Sequence, residues 1–159
     1  MKKNKKQIVV AVSGGFDPLH VGHVRMFEEA KKLGDKLVVI LNNDNWLAKK
    51  KGAPFMPEAE RKEIIEALRA VDEVILTRHT PDDPDRSVTH ILAELKPDIF
   101  ANGGDRDQSD ANKASSSLNP EQELCKRLGI KLVFNVGRGG KVQSSSWLIA
   151  KAVENKKKD

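Results

Sequence analysis

Tyrosine is absent from the 159 residues, cysteine occurs once, and aromatic side chains make up only 4% of the chain. So few rings cannot build the stacking platform that holds single-stranded nucleic acid. One thiol, Cys125, permits no internal disulfide and agrees with a reducing compartment; its expected place is the inner face of a helix, as a small buried apolar group. No apolar run approaches the roughly 18 residues of a membrane span. The first such run, Ile8 to Val12, is too short and too β-branched for a secretion signal, so the expectation is a cytoplasmic protein with neither membrane nor nucleic acid as partner.

What is present suits one ordinary globular domain spanning 1–159, with flexible tails at 1–6 and 155–159. Apolar residues make up 38% and charged residues 32%. The net charge of +5 owes much to those tails, Lys2 to Lys6 and Lys156 to Lys158, and a small anionic ligand accounts for the remainder more simply than a polynucleotide does.

Short runs rich in Val and Ile recur along the chain: Ile8 to Val12, Leu37 to Leu41, Val74 to Leu76, Ile99 to Ala101 and Leu132 to Val136. Their length and β-branching predict buried strands. Between them lie helical stripes: Met26, Phe27, Ala30 and Leu33, ended by Gly34; Ile64, Ile65, Leu68 and Val71, opened by Pro57; Val88, Ile91, Leu92 and Leu95, stopped by Pro97; and Leu124, Cys125 and Leu128, closed by Gly129. A last helix is predicted over 145–153, packing through Trp147, Leu148 and Val153. The alternation predicts an α/β fold, a Rossmann-like doubly wound sheet of about five mainly parallel strands with helices on both faces. Two polar segments, Asn42 to Pro57 and Gly103 to Pro120, read as long functional loops on the carboxyl edge of that sheet, where ligands of such folds collect.

The stretch Ser13-Gly14-Gly15-Phe16-Asp17-Pro18-Leu19-His20-Val21-Gly22-His23 falls at the seam between the first strand and the first helix. Residues three apart on a helix share a face, so both imidazoles can address one ligand. Free amides and the helix dipole at that end favour an anion, and Gly14, Gly15 and Gly22 carry no side chains to block it. An isolated histidine is ordinarily a surface or capping residue; a pair bracketed by glycines at this seam reads as a site. No further cluster completes a zinc set, and the turn lacks the lysine and Ser/Thr ending of a Walker loop.

The run Gly15 to His23 resembles the signature of the cytidylyltransferase-like nucleotidyltransferases, the HxGH type. The likeness continues through Lys31 to Val39, Glu60-Arg61-Lys62, Leu68 to Ile75, Lys96-Pro97-Asp98, Asn102 to Asp105 and Ser144-Ser145-Ser146, and so covers nearly the whole chain. It implies transfer of a nucleotide from CTP or ATP to a phosphorylated small molecule with release of pyrophosphate, Mg²⁺ travelling on the triphosphate, and a homodimer. His20, His23 and Lys50 would be catalytic; Lys49 and Lys51 flank Lys50 closely enough to share its assignment. Gly14, Gly15, Phe16, Gly22, Asp105, Ser144, Ser145 and Ser146 would bind nucleotide, with the three serines also suited to cap the last helix. Asp17 and Arg69 would bind the acceptor, Arg69 being favoured over Arg61, which an exposed helix salt bridge explains as readily. The chain departs from the family pattern where an arginine and a glycine often precede the serine run: Gly139 and Val142 stand there, with Arg138 displaced by one. The Gly103-Gly104-Asp105 stretch is most similar to heptose 1-phosphate adenylyltransferase domains, and the loop length around Lys50 to glycerol 3-phosphate cytidylyltransferase, which places CTP ahead. FAD synthetase, moving AMP onto FMN, and a non-catalytic nucleotide sensor are the alternatives on the same scaffold. The insertion 107–118 identifies no acceptor.

Overall fold

The computed structural model describes residues 4–103, 118–137 and 143–158. Five strands, β1 (Val9–Gly14), β2 (Lys36–Leu41), β3 (Glu73–Leu76), β4 (Ile99–Gly103) and β5 (Lys131–Val136), form one parallel sheet in the order β3-β2-β1-β4-β5. The helices are α1 (Val21–Lys31), α2 (Asp44–Lys51), α3 (Glu58–Glu66), α4 (Thr89–Leu95), α5 (Leu118–Leu128) and α6 (Ser145–Lys156). All five expected strands are present, and the order reverses beside β1, so the switch point falls between β1 and β4.

Strand alternation sorts the core into two layers. Val10, Val12, Leu37, Val39 and Leu41 face α1 and α3, packing with Phe27, Ala30 and Ile65; Ala11, Ile40 and Phe100 face α4 and α5, packing with Ile91, Leu92, Leu124 and Cys125. Cys125 is buried as expected, and burial, then the neighbouring Glu121 charge, push its thiol up to about 11.

The amino edge is closed by aspartates that each precede a strand or turn. Asp35, Asp72 and Asp98 accept from the amides of Ile8 (2.8 Å), Leu37 (2.7 Å) and Val9 (2.9 Å). Gly129 takes the left-handed conformation, φ 71°, directly after α5, as a helix stop requires.

Three expectations are corrected. The segment from Asn42 to Pro57 contains a helix, α2, started by Asn43, whose Oδ1 accepts from Trp46 N at 3.1 Å, and anchored by the buried Leu47. One apolar anchor and three lysines left it without a readable stripe. Helix α6 continues to Lys156, into the expected tail, and it exposes Trp147 and Val153, which were predicted to pack. Gly34 lies beyond the end of α1, at a crossing where a Cβ would stand 2.8 Å from the Ile8 carbonyl oxygen and from Val10 Cγ2. Because the first of these obstacles is backbone, Gly34→Ala should lower unfolding stability by about 2 kcal/mol in denaturant titrations; an unchanged midpoint would show that the crossing can open.

Candidate active site

The carboxyl edge opens into a cleft of about 550 Å³. Its wall on the α1 side carries His20, His23 and Met26; its wall on the α4 and α5 side carries Trp46, Arg86, Val88 and Glu121; Ser144, Ser145 and Ser146 reach it from the start of α6. The serines do not cap α6 by side chain: Ser144 Oγ lies 2.8 Å from Ser146 Oγ, and Ser145 Oγ donates to the Pro18 carbonyl at 2.8 Å, drawing that helix start to the β1–α1 seam.

His20 is the N-cap of α1 and His23 sits three residues on. Gly22 N donates to His20 Nδ1 at 3.1 Å, and His20 N donates to His23 Nδ1 at 3.2 Å. A backbone N–H can only donate, so each Nδ1 must offer its lone pair and each neutral ring must carry its proton on Nε2. The rings stack at 3.7 Å between centroids, 25° from parallel. Burial lowers the His20 pKa; burial, and after it the His20 charge, lower that of His23 to about 3. The pair therefore presents two neutral N–H donors. This corrects one expectation: the amides of His20 and Gly22 are spent on the imidazoles, and His23 N bonds the His20 carbonyl, so these amides are not free for a ligand.

The glycines serve packing as well as access. A Cβ on Gly14 would meet the Phe16 ring at 2.9 Å, and one on Gly15 would meet Leu47 Cδ2 at 2.9 Å. Phe16, held at φ 50°, folds its ring over Gly14 and sets its edge against His23, 4.9 Å between centroids. Phe16 is thus a buried support for the histidine ring.

Lys50 and Lys51 both line the cleft. The Lys50 ammonium stands 5.0 Å from the Trp46 ring centroid, whereas Lys49 donates to the Asp83 carbonyl at 2.6 Å and is not part of the lining. Lys51 is tied to Asp17, donating to its carbonyl at 2.6 Å and pairing with Oδ2 at 3.1 Å. Asp17 itself, assigned to the acceptor from sequence, has a fully buried carboxylate that also accepts from the amides of Phe55 and Met56, each at 2.6 Å. Its oxygens hold the α2–α3 connection against the seam. Arg69 is corrected outright: α3 runs back across the sheet, leaving Arg69 exposed just before β3, near the amino edge where Asp72 N bonds the Leu37 carbonyl and away from the cleft. Asp105, Arg138, Gly139, Val142 and the insertion core at 107–117 lie outside the described residues.

Arg61, passed over for an exposed salt bridge, is wholly buried. Its guanidinium donates to the carbonyls of Met56 (2.9 Å), Gly15 (2.8 Å) and Asn42 (2.8 Å) and to Asp44 Oδ1 (2.7 Å). Trp46 and Arg86 were also missed: Trp46 Nε1 donates to the Arg86 carbonyl at 2.9 Å, and the Arg86 guanidinium lies 4.8 Å from the Trp46 ring centroid. No spacing signal joins residues 40 apart across two connections.

A parallel sheet of this order, with a histidine pair opening the helix after β1, defines an α/β Rossmann-like fold of the HxGH type. The sequence profile of the family described as Cytidylyltransferase-like matches residues 11–146, and the chain belongs to that family. It is 40% identical over 103 residues to the FAD synthase of Pyrococcus abyssi (strain GE5 / Orsay), covering 64% of this chain and 66% of that protein. It is 38% identical over 148 residues to the bifunctional protein HldE of Streptomyces coelicolor (strain ATCC BAA-471 / A3(2) / M145), covering 92% of this chain and 28% of that one. Among solved structures, the lipopolysaccharide core biosynthesis protein from Thermoplasma volcanium GSS1 superposes with a TM-score of 0.64 at 31% identity, covering 83% of this chain and 98% of the other.

Two outcomes test this geometry. Arg61→Met, which strands three buried carbonyls, should cost about 3 kcal/mol of stability, read from the denaturant midpoint. The unfolded chain takes up histidine protons near pH 6.5 while native His23 does not, so native stability falls as pH drops from about 6.5 toward 3. Between pH 7 and 5, His23→Gln should lose about 2 kcal/mol less than the native protein. Long-range ¹H–¹⁵N spectra at pH 5 should show native His23 neutral and protonated at Nε2; an imidazolium there would refute this tautomer assignment.

Proposed function

We propose that this protein is an adenylyltransferase that moves AMP from ATP onto the phosphate of a small acceptor and releases pyrophosphate. One observation carries the transfer chemistry: two neutral imidazoles, each fixed by a backbone amide as an Nε2–H donor, side by side in the cleft at the carboxyl end of β1. An acceptor phosphate oxygen attacks the α-phosphorus, the bond to the bridging oxygen breaks, and the electron pair leaves with pyrophosphate. The developing charge on the phosphate oxygens is met by the His20 and His23 donors, with Lys50 adding a positive charge; such transfers need positioning and electrostatic stabilisation, and no protein nucleophile. The serines at the start of α6 face the same space and suit the triphosphate tail.

ATP is preferred over CTP on two grounds. Similarity to proteins named FAD synthase and HldE supports adenylyl transfer. The resemblance that favoured CTP rested on a loop length around Lys50, and that segment is helix α2. Mg²⁺ belongs to the proposal as the triphosphate's companion, held by phosphate oxygens and water. Among the described residues no cluster of three or more His, Cys, Asp or Glu forms a metal cage, and the cleft carboxylates Asp17 and Glu121 bond backbone amides. No helix among the described residues is long and apolar enough to cross a membrane. A cytoplasmic homodimer is proposed with the activity, its assembly to be read by sedimentation.

The test is pyrophosphate release with ATP or CTP, Mg²⁺ and a panel of FMN, sugar 1-phosphates and glycerol 3-phosphate. ATP should support turnover with at least one acceptor, His20→Ala and His23→Ala should each reduce kcat by about 10²-fold or more, and Lys50→Ala should also reduce it. Turnover with CTP alone would reassign the nucleotide, and full activity in both histidine variants would overturn the mechanism.

A further inference from the structure

Helix α2 carries the lysines of the cleft, yet Leu47 is its one buried residue, and Lys49, Lys50 and Lys51 are exposed. Helices in proteins draw most of their stability from an apolar face packed on a core, so α2 needs another anchor. It finds one in the β3–α4 connection. Asn43 Nδ2 and Asn45 Nδ2 both donate to the His79 carbonyl at 2.9 Å, and Lys49 donates to that of Asp83 at 2.6 Å. Trp46 and Arg86 are joined twice: the indole Nε1–H donates to the Arg86 carbonyl at 2.9 Å, and the guanidinium returns a bond to the Trp46 carbonyl at 3.2 Å.

The Arg86 end of this link is the firmly held one. The Asp85 carboxylate accepts from Ser87 N at 2.8 Å and Ser87 Oγ at 2.6 Å, and the Ser87 carbonyl accepts from His79 Nε2 at 2.9 Å. Val88 N donates to the buried Glu121 carboxylate of α5 at 3.0 Å, and Ser87 itself is wholly buried. The backbone directly after Arg86 is thus fixed, and so is the carbonyl that receives the indole. Among the described residues, the partners of the Arg86 guanidinium are the Trp46 carbonyl and the Trp46 ring, and its Nε is buried with none. The N–H bond sets where the ring edge points, and the guanidinium lies over the ring, 4.8 Å from its centroid. Lys50 follows Trp46 by one helical turn, and its ammonium lies 5.0 Å from the same centroid. An indole face attracts a cation, so the ring gives this exposed side chain a preferred place.

We propose that Trp46 and Arg86 are positioning residues that act on the cleft through Lys50: the connection holds Arg86, Arg86 holds the indole, and the indole holds the ammonium. A lysine already so placed has less rotamer freedom to lose when an anion arrives. The part of this inference that concerns the reaction rests on the proposed transferase reading, in which Lys50 meets phosphate charge; the part that concerns placement does not. Direct contact with the anion is the competing role for Arg86, which also lines the cleft, and a double-mutant cycle separates the two.

In ¹H–¹³C spectra of the native protein, the Lys50 ε-methylene signal, assigned by its loss in Lys50→Ala, should lie upfield of the other lysines through the indole ring current. It should return to the ordinary lysine position in Trp46→Leu, and about halfway or further in Arg86→Lys, which keeps the charge but not the planar fork. Affinity for tripolyphosphate, read by calorimetric titration, should fall about threefold or more in Trp46→Leu and in Arg86→Lys, and no more than about 1.5-fold when either is added to Lys50→Ala. In turnover, Trp46→Leu should lower kcat about fivefold and leave the acceptor KM within about twofold. Trp46→Phe keeps a ring face without the N–H; it should give intermediate losses, and it replaces the leucine variant if that fails to fold. An ordinary Lys50 signal in the native protein, a signal unmoved by Arg86→Lys, or tripolyphosphate binding that does not depend on Lys50 would each overturn the proposal. So would equal losses with and without Lys50, which would assign direct ligand contact, or a raised acceptor KM at unchanged kcat. Absence of pyrophosphate release from the native protein, with the shifted signal and the binding coupling intact, would sink the transferase reading and leave the placement standing.

Discussion

The guanidinium of Arg61, buried without exposure between α3 and the carboxyl edge of the sheet, bonds the carbonyls of Gly15, Asn42 and Met56 and the Asp44 carboxylate. These partners lie on the β1–α1 seam, the end of β2, the α2–α3 connection and the first residue of α2. Three of the four are backbone carbonyls in the connections that flank the sheet edge and the fourth is a side-chain carboxylate, and a planar fork of five donors is the side chain best suited to gather several acceptors at once. The nearby Asp17 carboxylate complements it by accepting from the Phe55 and Met56 amides and pairing with Lys51. One group collects carbonyls and the other collects amides, and between them they hold one flank of the cleft in place.

The histidine pair shows how a local motif gains chemical definition from its own backbone. Nothing in the spacing of two histidines selects a tautomer, but at an N-cap the chain supplies an amide to each Nδ1, leaving both Nε2–H groups for an acceptor. Burial and stacking then favour the uncharged rings. Phe16 and Gly14 contribute through packing: the ring needs the space that Gly14 leaves vacant, and it packs nearly perpendicular to His23.

The cleft is divided by the sheet itself. On the α1 side stand the imidazoles and the start of α6; on the α4 and α5 side stand Trp46, Arg86 and the amides of Asn42 and Asn102. A parallel sheet makes this arrangement available because its strands end together at the switch point, and successive residues there point to opposite faces.

Strands, most helices and the histidine seam were legible in the chain because they depend on period and local stereochemistry: runs of Val and Ile, apolar stripes, Pro97 and Gly129 as stops, glycines before a helix. Helix α2 was not, since its apolar face reduces to Leu47 and its stability comes from the Asn43 cap and tertiary contact. The fate of individual charged residues was also beyond the sequence. Arg61 and Arg69 stand eight residues apart on one predicted helix, and only the direction of α3 across the sheet buries the first under the active edge and leaves the second exposed near the opposite edge. Asp17 likewise reads as a ligand-facing acid until the amides of residues 55 and 56 arrive, about forty positions away in the chain, to consume it. Sequence by itself determined the architecture, the family and the place of the paired imidazoles, because these are encoded in neighbours. Tertiary structure alone decided which polar groups were consumed by distant backbone partners and which were left unmatched in the cleft, because that balance is struck between segments that meet only when the sheet is assembled.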